Sequence, residues 1–249
     1  YDYDYDSDYD FDYDYDTDSD SDTDRWWEGN VSLNVQEFLE TLRRAPGYAD
    51  QVVHIHREPD RAARFAEPAA PLSAGCLRLL ETLGVNRLYL HQVRAVDAVR
   101  AGHDVLVTTG TASGKTLCYL LPMFELLERE PEARILALYP TKALSQDQFR
   151  VFERARATAG FEHVRVGVFD GDTPADQRRR IRDHANIIIT NPDMLHAGIL
   201  PQHPRWSAAL ERLRLVVLDE LHTYRGLFGA NVANLFRRLD RVLQRNGAN

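Results

Sequence analysis

The chain has 249 residues, 44% of them apolar, and a formal charge of −8, enough for one α/β domain with a core plus appendages. No apolar run approaches the roughly 20 residues of a bilayer span, and no secretory leader is expected at the start. The two cysteines, Cys76 and Cys118, form no C-x-x-C pair, so a membrane span, a disulfide framework and a Cys-rich zinc site within this chain are excluded, and a cytoplasmic setting is expected.

Residues 1–24 alternate strictly, with Asp at every even position, and hold 12 of the 38 acidic residues and no basic one. In an extended chain those carboxylates would share one face at roughly 7 Å spacing. Repulsion predicts an extended, disordered segment rather than a strand. So regular a repeat resembles a translated simple repeat more than an interaction tail. Without it the balance is 30 basic against 26 acidic residues: mildly basic, which allows a polyanionic partner. The first residue is Tyr1 and the chain stops after a helix end at Asn246-Gly247; both suggest a fragment.

Residues 25–83 are expected to form a helical and irregular arm. A helix is predicted over 31–45, with Val35, Phe38, Leu39 and Leu42 on one face. Four prolines between 46 and 71 break the pattern around one short extended piece at 52–56, where His54 and His56 would share a face without a third metal ligand. Trp26, Trp27 and Trp206 are expected to pack rather than stack on bases. Helices are predicted over 72–83, closed by Gly84, and over 90–101, closed by Gly102.

Beyond residue 102 short β-branched runs alternate with helical stretches. The runs cover 105–109, 135–139, 164–169, 187–190 and 215–218, and a last helix is predicted over 225–245. Nearly continuous apolar strands separated by helices predict an α/β domain: a doubly wound, mostly parallel sheet with helices on both faces. In such sheets ligands bind beyond the carboxyl ends of the strands, and every suggestive motif falls there.

Thr109-Gly110-Thr111-Ala112-Ser113-Gly114-Lys115-Thr116 follows the first run and opens a helix. It reads as a phosphate-binding loop. Small residues let backbone N–H groups converge on phosphates, and the helix N-terminus favours an anion. Lys115 would reach the β- and γ-phosphates, and the Thr116 hydroxyl a Mg²⁺. Thr109 stands where the pattern asks for Gly. Only two of the 30 cationic residues are lysines, Lys115 and Lys142. The rigid fork of Arg does not substitute for Lys in a tight cradle, so Lys142 reads as a second functional position. The run 215–218 ends in Asp219-Glu220-Leu221-His222. An acidic pair at the end of a buried strand is costly without a cation. Asp219 is the candidate Mg²⁺ holder and Glu220 the base for an attacking water. Arg178-Arg179-Arg180 with Arg182 reads equally as a nucleic-acid patch or a solvated helix face.

With these motifs in hand, residues 84–249 resemble the first RecA-like, ATP-binding domain of superfamily 2 DExH-box helicases, cut short at its C-terminus. Residues 110–116 resemble motif I and 219–222 a D-E-x-H motif II. Gln92 is similar to the glutamine that reads adenine. Pro140-Thr141-Lys142 resembles motif Ia, and Gly171-Asp172 with Thr190-Asn191-Pro192-Asp193 resemble the next backbone-contacting motifs. The stretches 88–92, 111–116 and 219–226 are similar to the YprA/MrfA group of DNA helicases linked to repair.

This resemblance implies ATP and Mg²⁺ as cofactors and a nucleic-acid strand, DNA rather than RNA, held at its phosphate backbone. It implies a role for His222 in coupling the nucleotide site to motif III. It further implies that motif III, the second RecA-like domain and its arginine fingers are missing, so the piece alone is expected to be inactive. His222, in place of an Asp, argues against an RNA-remodelling DEAD-box ATPase, and the motifs at 140–142 and 190–193 against a P-loop kinase or transporter. A non-catalytic binding fragment is the remaining alternative.

Overall fold

The computed structural model describes residues 35–56, 62–110 and 113–247. The acidic repeat, Trp26, Trp27, Thr111 and Ala112 lie outside them. The chain divides into two compact units, Tyr1–Arg61 and Ala62–Asn249.

In the first unit, helix α1 spans Val35–Arg44 and buries none of its residues. The expected extended piece at 52–56 is not a strand; a strand needs a ladder partner, and none of the described residues pairs with it. The rings of His54 and His56 stack there, 6.5 Å apart.

In the second unit, β1 (Phe65–Ala66) pairs antiparallel with β2 (Leu88–Tyr89). Between them lies α2 (Ala74–Thr82), and α3 (Leu90–Arg100) follows β2 directly. Ser73 caps α2 by accepting the Cys76 N–H, while Gly84 and Gly102 end α2 and α3 at φ +65° and +77°. Helix α2 is more than an arm. Its Cys76, Leu79 and Leu80 join the main core, and Arg78 Nε donates to the Ala159 carbonyl at 3.0 Å. The larger unit therefore begins some twenty residues before the boundary expected at 84. Cys76 and Cys118 are free and buried, and burial pushes the Cys76 thiol up to about 12.

The chain continues as α4 (Thr116–Arg129), β3 (Arg134–Leu138), α5 (Lys142–Ala159), β4 (Val166–Val168), α6 (Ala175–His184) and β5 (Ile187–Thr190). After β5 come α7 (Pro192–Met194), a π turn and a 3-10 turn as far as Gln202, α8 (His203–Glu211), β6 (Leu213–Leu218), a 3-10 turn at Leu221–Thr223, and α9 (Gly226–Arg245). Strands β3 to β6 form one sheet in the order β4-β5-β3-β6, and every pairing is parallel.

Alternate residues feed two cores, as period-2 geometry requires. Ile135, Ala137, Ile187 and Ile189 face one core with α2 to α5. Leu136, Leu138 and Ile188 face the other, with Trp206 of α8 and with Leu235 and Leu239 of α9. Both faces are covered, as expected for a doubly wound sheet. Trp206 is a packing residue, set edge-on to Phe169 at 5.0 Å.

One expected strand is absent from the sheet. Residues 103–110 form no strand, although the run at 105–109 is as β-branched as the others. β6 bonds to β3 on one side, and its other edge has no ladder partner among the described residues. Leu106 is 69% exposed. Apolar patterning reports a tendency to be buried, whereas a strand also needs a hydrogen-bonding neighbour. No helix among the described residues is long and apolar enough to cross a membrane.

Candidate functional site

The parallel sheet sends the ends of β3, β4, β5 and β6 to one edge, and the expected motifs follow those ends at 139–142, 170–173, 190–193 and 219–222. The candidate phosphate loop leads into α4, whose first residue is Thr116.

The loop is clamped from outside by the start of α3. Gln92, buried to 2% exposure, donates through Nε2 to the Gly114 carbonyl at 2.9 Å and accepts the Tyr89 N–H through Oε1 at 2.8 Å. His91 Nε2 lies 3.0 Å from the Ser113 carbonyl. Gly114 has φ +72°, and a Cβ there would come 2.6 Å from Gln92 Nε2. Glycine is thus required twice, for the backbone region and for the approach of Gln92. The loop closes on itself in three further contacts. The Thr109 and Ser113 hydroxyls are 2.6 Å apart. Lys115 Nζ donates to the carbonyls of Thr109 at 3.2 Å and Gly110 at 2.8 Å. His91 was not among the expected site residues, although it falls in the stretch 88–92 that carries the family resemblance.

At the end of β6, the Asp219 N–H donates to the Leu138 carbonyl at 3.1 Å, so the parallel ladder holds this residue in place. Its carboxylate is held on both sides. Oδ1 accepts the Glu220 N–H at 2.7 Å, and Oδ2 accepts the Tyr119 hydroxyl of α4 at 3.1 Å. Glu220 has φ +51°, a left-handed conformation that costs a non-glycine residue about 1–2 kcal/mol. The turn is stabilised by the Thr223 hydroxyl on the Glu220 carbonyl at 2.9 Å. His222 Nδ1 lies 3.2 Å from Glu220 Oε2.

Two tyrosines border the acidic pair, and neither was expected there. Burial pushes the Tyr119 hydroxyl far above the usual phenol range, and the neighbouring Tyr139 and Asp219 push the same way. Tyr224 is raised to about 12, by burial first and then by Asp219 and Glu220. Its buried hydroxyl has no hydrogen-bond partner among the described residues. Both side chains therefore stay protonated donors at neutral pH.

The strand-binding candidates divide into spent and available groups. Thr141 caps α5, accepting the Leu144 N–H at 3.2 Å, and its own proton remains free to donate. Lys142 Nζ meets Asp172 Oδ2 at 2.5 Å in an exposed pair, and that hydrogen bond raises the Lys142 pKa. Asn191 caps α7 by accepting the Met194 N–H at 2.8 Å; Pro192 is buried beside it and Asp193 is exposed. Thr190 differs from expectation. It is 1% exposed, and its hydroxyl donates to the Phe169 carbonyl at 2.6 Å, which leaves no side-chain group for a strand.

Arg178 is likewise spent. It donates to the carbonyls of Thr173, Asp170 and Gly171, so it builds the loop carrying Gly171 and Asp172. Arg179 and Arg182 both pair with Asp183. A surface indentation of about 400 Å³ between Glu130, Pro131, Glu132, Ala133, Arg212 and Arg214 lies at the amino ends of β3 and β6, away from every motif.

The family model described as DEAD/DEAH box helicase matches residues 89–247. Among curated relatives, the YprA helicase of Bacillus subtilis is 40% identical over 80% of this chain and 26% of its own length. The helicase HRQ1 of Saccharomyces cerevisiae is 38% identical over 86% of this chain and 20% of its own. Among solved structures, the helicase MrfA bound to DNA and AMPPNP superposes with a TM-score of 0.78 at 39% identity, over 86% of this chain and 29% of that one. The chain thus spans between a fifth and under a third of the length of these relatives.

Proposed function

This chain belongs to the DEAD/DEAH box helicase family, and from that premise we propose that it is the ATP-binding half of an ATP-dependent DNA helicase, coupling ATP hydrolysis to movement along one strand and to duplex unwinding in DNA repair. The similarity to a DNA-bound MrfA structure favours DNA. The observation that carries the reading is the 3.1 Å contact of Tyr119 with Asp219. It brings the helix headed by Thr116 against the acidic pair, so the phosphate loop and the candidate base address one site.

The amides of the loop 109–116 would hold the phosphates, with Lys115 leaving its two carbonyls for them. Thr116 and Asp219 are hard oxygen donors of the kind Mg²⁺ takes. The described residues hold no group of three or more His, Cys, Asp or Glu that could bind a metal by itself. That agrees with an ion carried by one or two protein oxygens together with substrate phosphates. When bound, Mg²⁺ neutralises charge developing on the phosphates. Glu220 then orients and deprotonates the attacking water, with its strained turn aiming the carboxylate. Gln92 has one N–H and one lone pair left for adenine. His222, against Glu220, is the coupling residue of this reading.

The DNA backbone would run over the ends of β3, β4 and β5, past Thr141, Lys142, Gly171, Asp172 and the turn at Asn191, Pro192 and Asp193. Such contacts carry little sequence preference and weaken with salt. Thr190 would take part through its backbone alone. A second RecA-like domain, supplied by the rest of a longer cytoplasmic protein, would close the cleft and bring the arginines that such motors use, worth about 10³–10⁵ in rate.

The test compares ATP hydrolysis by this isolated chain with that of the full-length protein, each with single-stranded DNA. The isolated chain is expected near background. Robust turnover by it alone overturns the two-domain reading.

A further inference from the structure

The Tyr119 hydroxyl lies among groups from three different motifs. Asp219 Oδ2 is 3.1 Å away and Gln148 Oε1 is 3.2 Å away. The Tyr139 hydroxyl donates to it at 3.4 Å, and Thr116 lies one turn earlier on the same helix, α4. A phenol has one proton to give, so it serves Asp219 or Gln148 but not both at once. The two distances are nearly equal, and the choice rests on the charge of the acceptors. A bare carboxylate outcompetes a neutral amide.

Both ends of the segment 139–148 are tied to this hydroxyl. Tyr139 leads into Thr141 and Lys142, and Gln148 sits on α5, the helix that Lys142 begins. One hydroxyl proton thus lies within reach of two acceptors, and a ligand that changes the charge of one acceptor would bias the choice between them.

We propose that Tyr119 is a positioning residue that couples the two sites: its hydroxyl holds Asp219 when the nucleotide site is empty and turns to Gln148 when a divalent cation with ATP neutralises Asp219, drawing α5 and so Lys142 into a different hold on the DNA backbone. The inference rests on the helicase reading above and adds a route between its two sites. Its sign is reciprocal, since a nucleotide that alters DNA affinity by some factor has its own affinity altered by DNA equally.

The experiment measures single-stranded DNA binding by fluorescence anisotropy in the full-length protein, with and without a non-hydrolysable ATP analogue and Mg²⁺. Calorimetry of the analogue alone accompanies it. The unsubstituted protein is expected to change its DNA affinity on the order of 10-fold on binding the analogue. In Tyr119→Phe, which keeps the ring, that factor falls below about 2-fold. In Gln148→Leu it falls equally, and affinity for the analogue alone weakens because the displaced hydroxyl then has no acceptor. The double variant loses no more than either single, the mark of one shared interaction.

A wild-type factor in a normally folded Tyr119→Phe overturns the inference. Should that variant fail to fold, a wild-type factor in Gln148→Leu overturns it. An unsubstituted protein that binds both ligands with no factor between them also overturns it and leaves the helicase reading standing. Failure to bind ATP analogue or DNA at all removes that reading, and this inference with it.

Discussion

The two ends of the carboxyl edge are built differently. Beyond β4 and β5 the polar groups satisfy one another. Thr190 is spent on Phe169, Asp170 Oδ1 accepts from Asp172 and Thr173, and Arg178 closes the loop. Beyond β6 and around the candidate phosphate loop some groups are less fully engaged. Lys115 rests on its own loop carbonyls, Tyr224 carries a hydroxyl with no partner among the described residues, and Glu220 sits at positive φ. On the helicase reading proposed above, a surface that presented only a backbone rail could be completed within the fold, whereas a site for a triphosphate would keep its charge and strain in reserve. The contrast teaches which residues to read as scaffold and which as chemistry.

The comparison breaks most sharply at Lys115 and Glu220. In the full-length protein Lys115→Ala is expected to lower kcat/KM for ATP by about 10²–10³, the scale of removing one preorganised charge from a phosphoryl group. Steady-state hydrolysis checks it, and a change under about 3-fold would return Lys115 to the scaffold class. Glu220→Gln should lower kcat by about 10²–10⁴ as the base is lost, with ATP affinity preserved. Single-turnover hydrolysis together with nucleotide binding separates the two effects.

Thr190→Val tests the other end. It strands the Phe169 carbonyl, and the expected cost is about 1–3 kcal/mol of stability, read by denaturant melting, with DNA affinity unaltered. A loss of DNA affinity without a loss of stability would move Thr190 from scaffold to contact. The smallest effect is expected at the exposed Lys142–Asp172 pair. Asp172→Asn should free Lys142 for phosphate, raise DNA affinity a few-fold and steepen the salt dependence by about one counterion. A titration of affinity against salt reads this directly, and an unchanged slope would mean that Lys142 meets no phosphate.

Much of this was legible from residues alone. The nearly continuous apolar runs at 135–139 and 187–190 and the stops at Gly84 and Gly102 recur in the structure. The motifs at 140–142, 171–172, 190–193 and 219–222 fall at strand ends as α/β geometry demands. Three things were not legible. The run at 105–109 carries a strand's composition, yet pairing depends on a neighbour far away in sequence. The assignment of 72–83 to an arm fails because Cys76 and Leu79 find their partners on α4 and α5, forty and more residues on. The place of Tyr119 at Asp219 joins residues 100 positions apart, which no local pattern encodes.

Composition, periodicity and loop chemistry by themselves determined the fold class, the phosphate loop and the acidic pair, because each depends on residues adjacent along the chain: side-chain alternation, helix caps, small residues before a lysine. Only the tertiary structure decided that Thr190 is spent, that Lys142 is held by Asp172, and that one tyrosine hydroxyl lies within reach of both Asp219 and Gln148. Those outcomes depend on distances between elements, and distances are set by how the two cores pack around the sheet.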